Sequence, residues 1–335
     1  YKGDASTRQL YGDVMLNIDK YFGDFSLTAT LGTSIQDVNY QYYDVGGSLN
    51  SVADGFTMLN LMQSAVKFQQ DGYHDQTQSI FATAQLGWKS KLYLDVTGRV
   101  DWSSALAWTD TKSVAYPSVG VSAILTELLP IKNNVLTFLK VRGSYSEVGN
   151  APTRYIAYQT YPYESAYPTT ATTYPNTDIK PERTKAWEVQ SHLWNDKLEL
   201  NVSLYKTSTY NQLFNPSISA GSGYSSIYIN GGQVDNKGIE ASLTLNQPLG
   251  PVKWNSTFTY TINRNKIKKL LKPTTLSSGE VVKQDMMDLG GLEIVTSRLI
   301  EGGSIGDLYV TALRTDSHGY IDVDYVNNTV AIDNK

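Results

Sequence analysis

The residues from Ala186 to Tyr205 alternate between apolar and polar with a period of two. Trp187, Val189, Ser191 and Leu193 fall on one side, and Glu188, Gln190 and His192 on the other. Asn195-Asp196-Lys197 marks a turn, after which Leu198, Leu200, Val202 and Leu204 alternate with Glu199, Asn201, Ser203 and Tyr205. A helix repeats its faces about every 3.6 residues and cannot carry this pattern; a strand with one apolar and one polar face can. Pro181 precedes the run, where its fixed φ and missing N–H suit the entry to a strand. Such a hairpin separates two different media, and the rest of the chain decides which two.

The pattern recurs. Leu92, Leu94, Val96, Gly98 and Val100 oppose Tyr93, Asp95, Thr97, Arg99 and Asp101, and Ile239, Ala241, Leu243 and Leu245 oppose Glu240, Ser242 and Thr244. Further strands are expected over 9–21, 25–35, 80–88, 117–123, 139–144, 254–262 and 307–313, about eleven in all. Tight turns near residues 23, 89, 195 and 249 alternate with long connections over 36–75, 102–116, 148–180, 211–234 and 264–304. Phe56–Val66 is expected to form a short helix in the first of these, and Thr126–Asn134 a helical turn on the tight side. A soluble sandwich has no reason to keep tight ends on one side and long ends on the other. An outer-membrane barrel does, with short periplasmic turns and long extracellular loops. About ten residues per strand, tilted by ~45°, span its roughly 25 Å apolar band. Trp88, Trp102, Trp187, Trp194 and Trp254 sit near strand ends, where an aromatic girdle forms. An open edge is not viable in lipid, and bacterial barrels have an even number of strands. About eleven strands therefore predict one part of a larger transmembrane antiparallel β-barrel, with the remaining strands outside this sequence.

Composition narrows the function classes. Among 335 residues no apolar run reaches the length of a transmembrane helix, but barrel strands spend only every second residue on lipid. A net charge of −4 gives no basic footprint for nucleic acid. The absence of cysteine removes disulfides, thiolate zinc sites and cysteine nucleophiles. His74, His192 and His318 lack metal-ligand spacing, so neither a metal nor a cofactor is expected. The chain opens at Tyr1 without a signal peptide, as expected of a mature fragment or a partly represented chain.

Five stretches then carry a family resemblance. Asp101-Trp-Ser-Ser104 with Tyr116-Pro-Ser-Val-Gly-Val121, Leu139 to Asn150, Asn176 to Glu188, Gly232 to Glu240, and Glu301 to Tyr309 occur in the order of the motifs of SusC-like (RagA-like) TonB-dependent outer-membrane transporters. Trp102 and Ser304 depart from the family's Gly and Pro at those places. The resemblance covers about residues 80 to 310. It implies that residues 1–335 are an incomplete receptor barrel, about half of a 22-stranded one, without the plug domain or the last strands. It further implies a Gram-negative outer-membrane importer of oligomeric nutrients, glycans first and oligopeptides second. The partners it implies are a SusD-like surface lipoprotein, outer-membrane lipids, and the TonB-ExbB-ExbD complex reached through the missing N-terminal part. A passive porin or structural barrel is the alternative, and a secreted β-rich binding protein or enzyme a more distant rival.

Two sets of residues are candidates for contact with cargo. Tyr155, Tyr158, Tyr161, Tyr163, Tyr167 and Tyr174 punctuate one long connection. Tyrosine rings stack on sugar faces or peptide side chains while the hydroxyl hydrogen-bonds, but they also pack a loop or meet a partner lipoprotein. Asp95, Arg99, Arg142, Glu188 and Glu240 fall on the polar side of their strands, as expected of a water-filled lumen. Enzyme signals are weak. Gly302-Gly-Ser304-Ile-Gly306 matches a nucleophile elbow in letters, yet a strand rather than a helix is expected after it. The carboxylate pairs Asp95/Asp101 and Glu188/Glu240 could suggest glycosidase carboxylates, but alternation places each on a polar face beside Lys or Arg, as expected of a water-filled lumen. The chain is not expected to be an enzyme.

Overall fold

A computed structural model describes the chain except residues 1, 52–56, 130–135, 162, 165–166, 169–170, 195–196, 216–217, 219–220, 222, 276–280, 285, 292–294, 311, 325–328, 331 and 334–335. Ten strands form one antiparallel sheet in chain order. They are β1 (Lys2–Phe22), β2 (Phe25–Gly46), β3 (Lys67–Trp88), β4 (Leu92–Ser103), β5 (Val114–Ile124), β6 (Phe138–Asn150), β7 (Glu182–Trp194), β8 (Leu198–Phe214), β9 (Ile229–Leu249) and β10 (Val252–Lys269). β1 and β10 are the two edges and do not pair with one another, so the sheet is open.

The register carries the alternation across the whole sheet. Directly opposed residues of an antiparallel ladder share a face. Leu86 opposes Leu94, Leu94 opposes Val121, Val189 opposes Leu204, Leu204 opposes Ile239, and Ile239 opposes Ile262. On the other face a single row runs Gln85, Asp95, Gly120, Ser144, Glu188, Tyr205. A slip of one residue at any ladder would exchange the faces. The apolar face is open: Val121, Val189 and Leu204 are about half exposed. A water-soluble protein does not present such a face, whereas lipid covers it at no cost.

Strand lengths divide the wall into three parts. β1, β2 and β3 have 21, 22 and 22 residues. β4 to β7 have 12, 11, 13 and 13. β8 to β10 have 17, 21 and 18. Since about ten residues cross the apolar band, two tall flanks rise beyond it on either side of a low middle section.

Several sequence expectations need correction. Residues 36–75 are not an irregular loop: β2 runs on to Gly46 and β3 begins at Lys67. The extension escapes detection because water bathes both of its sides and the apolar alternation lapses, as in Asp37-Val-Asn-Tyr-Gln-Tyr-Tyr43. Phe56 lies outside the described residues, and in place of a helix up to Val66 there are single 3₁₀ turns at Met58–Asn60 and Gln63–Ala65. The turn expected from Thr126 is one helical turn, Leu125–Leu128; residues 130–135 lie outside the described set. The connection 211–234 shrinks to 215–228, and 264–304 contains short ladders such as Met286–Gly291 with Val295–Ile300. The strand expected over 307–313 is not part of the wall. Leu308–Val310 pairs with Val295–Ile300 in a separate three-stranded sheet, and three residues are too short to cross a bilayer. Asn195 and Asp196 of the organising turn lie outside the described residues.

Val202 lies on the apolar face midway between Leu200 and Leu204, opposite Ala241. Val202→Arg in the full-length protein should lower its stability in bilayers by ~2–4 kcal/mol, whereas Thr259→Arg on the polar face should cost far less. Denaturant titration of the folded protein in lipid vesicles reads the difference; equal costs would contradict the face assignment.

Candidate functional site

The long connections do not stand free above the wall. They fold over the low section and are tied to both tall flanks. On one side Arg154 reaches Asp75 of β3 across 79 positions of sequence, with Nε 3.1 and 3.0 Å from Oδ1 and Oδ2 and Nη2 2.8 Å from Oδ2. Its guanidinium also lies 3.6 Å from the ring centre of Tyr73, which stacks on Tyr40 of β2. Asp75's hydrogen bonds hold the Arg154 pKa above its ordinary value. Asp75 opposes Val38 and Tyr73 opposes Tyr40, which places both anchors on the polar face. A planar guanidinium meeting a carboxylate two-fold and an aromatic face at once fixes position and orientation together.

On the other side the stretch Asn176 to Glu182 is a staple. The Asn176 side chain donates to the Tyr228 carbonyl at 2.9 Å. Ile179 is fully buried. The Asn230 carboxamide accepts from the Lys180 amide at 2.6 Å and donates to the Lys180 carbonyl at 2.7 Å. Burial pushes the Glu182 carboxyl pKa up where β7 begins. Thr173 and Tyr174 pair in parallel with Ser226 and Ile227, joining two connections directly. Beneath this junction lies an apolar cluster of Phe214, Ile218, Ile227, Ile229, Val234, Ile267 and Leu270. Val234 and Ile267 enter it from the polar face of β9 and β10.

The six candidate tyrosines therefore have different fates. Tyr155 and Tyr158, with Arg154, Ile156 and Tyr228, line a cavity of about 310 Å³ between the two ties. Tyr158 stacks on Trp108 from the β4–β5 connection at 4.6 Å, and both rings stay half exposed. Tyr155 has φ of +64°, a left-handed conformation that a bulky residue seldom adopts. Tyr161 is exposed and is not among the cavity's lining residues. Tyr174 packs against the apolar cluster, edge-on to Tyr224 at 5.3 Å, so it serves the loop's own core. The side chains of Tyr163 and Tyr167 lie outside the described residues. Sequence reasoning missed Trp108, Arg154, Asp75, Tyr73 and Tyr228, whose association depends on long-range folding that no local pattern announces.

The five polar-face candidates share one face of one sheet, below the mouth. Asp95 accepts from Gln85 at 2.6 Å; Arg99 meets Asp101 at 2.6 Å and Ser79 at 2.8 Å; Glu188 accepts from Ser203 at 2.7 Å and Gln190 at 2.8 Å. Arg142 stands between two troughs of about 690 and 640 Å³, one reaching Glu240 and the other Asp95. The structure also gives Ser304 a plain role. Its Oγ bonds to Asn265 Oδ1 at 2.8 Å and its amide donates to Asp307 at 2.7 Å, with Gly302 in a positive-φ turn. That is a fastened turn at the end of β10, without the strand–turn–helix context of an elbow.

The model of the family "TonB dependent receptor-like, beta-barrel" matches residues 1–286. The chain belongs to that family. Its members are outer-membrane receptors, not enzymes. TonB-dependent receptors P3 and P26 of Formosa agariphila are each 27% identical, over 91% and 83% of this chain and 31% and 29% of their own lengths. The RagAB peptide transporter superposes with a TM-score of 0.74 at 18% identity, over 99% of this chain and 37% of its own. YddB of Escherichia coli superposes with a TM-score of 0.54 at 9% identity, over 79% of this chain and 34% of its own. At these identities the likeness is one of fold. The chain spans about a third of the length of the receptors it matches.

Arg154→Lys keeps the charge but loses the fork and the stacking plane. In the full-length receptor it should favour opening of the 151–161 segment by roughly 1 kcal/mol, about fivefold, the modest size reflecting partial exposure. Hydrogen exchange of that segment measures the change, and unchanged protection would show that the clamp does not hold the loop.

Proposed function

We propose that the intact protein is an active outer-membrane importer of oligomeric nutrients, energised through TonB-ExbB-ExbD and covered by a SusD-like surface lipoprotein. In this reading residues 1–335 supply ten wall strands, about half of a 22-stranded barrel, and the plug and remaining strands lie elsewhere in the full-length protein. The polar face, including Asp95, Arg99, Arg142, Glu188 and Glu240, lines the lumen. Cargo is held at the mouth by Tyr155 and Tyr158 before it moves past that wall.

The observation that carries the proposal is the aromatic cavity itself. Tyr155, Tyr158 and Tyr228 line one cavity with Arg154, which is tied to Asp75 on the polar face of β3, while the Asn176 side chain is tied to the Tyr228 carbonyl. Preorganised aromatics give stacking contacts at small entropic cost. The uncommon backbone of Tyr155 supports the same reading, because strained residues gather at ligand sites. Oligosaccharides fit the half-exposed rings best, since sugar faces stack on tyrosine and their hydroxyls meet the phenols; oligopeptides are the second class. The passive-porin alternative loses support from the family match.

Replacing Tyr155 and Tyr158 together with Ala should weaken cargo binding by about fivefold or more, at ~0.5–1.5 kcal/mol per lost aromatic contact. Calorimetric titration of the purified receptor–lipoprotein complex with panels of oligosaccharides and oligopeptides reads both the class and the effect. Unchanged affinity with normal lipoprotein assembly would return these tyrosines to a packing role.

A further inference from the structure

The outer side of the wall carries a feature that cargo import does not use. Along one ladder row, Val119 opposes Tyr145, Tyr145 opposes Trp187, Trp187 opposes Lys206, Lys206 opposes Lys237, and Lys237 opposes Arg264. This row sits on the apolar face, two residues beyond Leu204, Ile239 and Ile262 towards the long connections. It is thus the boundary of the apolar band at the extracellular end, where aromatic rings and then cations belong.

The cations are unusually arranged. Lys206, Lys237 and Arg264 are exposed neighbours on three adjacent strands, and none is in an ion pair among the described residues. The next row outward adds Lys185, Asp235 and Lys266, so the two rows hold five cations against the carboxylate of Asp235 across β7–β10. Asp235 accepts from the Gln233 carboxamide at 2.9 Å and lies close enough to Lys206 and Lys268 to offset part of their charge. Glu147, one strand further on, is taken by Arg183 at 2.9 Å. Like charges set directly opposite one another destabilise a ladder. One carboxylate against these cations leaves the two rows with an excess of positive charge, which an anion from outside would offset.

Directly below it the wall has a notch. Val121, Tyr145, Trp187, Val189 and Leu204 line a depression of about 460 Å³ with Lys206 also on its lining. Gly143 lies between Val121 and Val189 and contributes no side chain; a Cβ there would meet nothing within 4 Å. An apolar notch in a lipid-facing wall, capped by a cationic row at headgroup height, matches a molecule with an acyl chain below and a phosphate above.

We infer that this face seats a phosphorylated glycolipid of the outer leaflet, with an acyl chain in the notch at Gly143 and its phosphate on Lys206, Lys237 and Arg264. The charge complementarity selects this occupant over a neutral lipid, and the notch selects it over a free anion. Bound lipid would neutralise the row and fix the low section of the wall beneath the mouth.

The test uses the full-length receptor in detergent and in mixed micelles of bisphosphorylated lipid A, dephosphorylated lipid A, or inorganic pyrophosphate. Binding is followed by native mass spectrometry and by the fluorescence of Trp187 against a Trp187→Phe control. The wild type should retain the phosphorylated lipid, with binding that falls as salt is raised. The triple variant Lys206→Gln, Lys237→Gln, Arg264→Gln should bind it about a hundredfold more weakly. Gly143→Leu, which has room for its side chain, should displace the acyl chain and weaken retention while leaving the cations intact. Equal retention of phosphorylated and dephosphorylated lipid, or no effect of either variant, would overturn the proposal. Pyrophosphate binding that matches the lipid would reduce the site to one for a free anion and overturn it equally. Loss of an oligomer without loss of lipid would make the face an interface between copies, which also contradicts it.

Discussion

The membrane wall of this chain depends on one constraint: in hydrocarbon a backbone N–H or C=O must find its partner within the protein. A sheet meets that demand only through continuous ladders, so each strand must pair with both neighbours along the apolar band. The pairing in turn locks the side-chain faces, because partners across a ladder point the same way. One register error between Val189 and Leu204 would place Glu188 or Ser203 in lipid. The open edges at β1 and β10 are tolerable only where further strands cover them, which fits a chain spanning about a third of the receptors it matches.

Above the band the constraint lifts, and different physics takes over. β2 and β3 continue for many residues with water on both sides, held by backbone pairing and by contacts such as Tyr40 on Tyr73. There Asp37 accepts from His74 at 2.7 Å, and this hydrogen bond holds its carboxyl below the usual range. Connections that would otherwise wander are gathered by specific ties: the Arg154 fork on Asp75, the reciprocal Lys180–Asn230 pair, and the cluster around Ile227 and Ile267. The mouth is therefore a small folded assembly built on a membrane wall, not a fringe of loose loops.

What the sequence revealed follows the same division. Inside the band two media impose alternation, and Leu92 to Val100 or Leu198 to Leu204 announce both strand and face. Outside it one medium bathes both sides, so Gln36 to Gly46 reads as loop although it is strand. The last expected strand failed because Leu308 to Val310 alternates without the length to cross. At the mouth, composition pointed to the tyrosines but could not sort them: Tyr174 went into a core while Tyr155 and Tyr158 stayed open to the cavity. Arg154 carries no local signal at all, since its partner lies 79 residues away.

One face of this sheet meets lipid and the other meets water. Spin labels placed singly at Val189 and Leu204, and at Gln190 and Thr259, in the full-length receptor reconstituted in bilayers distinguish the two faces. Labels at the first two positions should collide with dissolved oxygen and be shielded from a water-soluble nickel chelate; labels at the second two should show the reverse. Equal access of the chelate to both sets would mean that both faces meet water, and the membrane-wall account would be wrong.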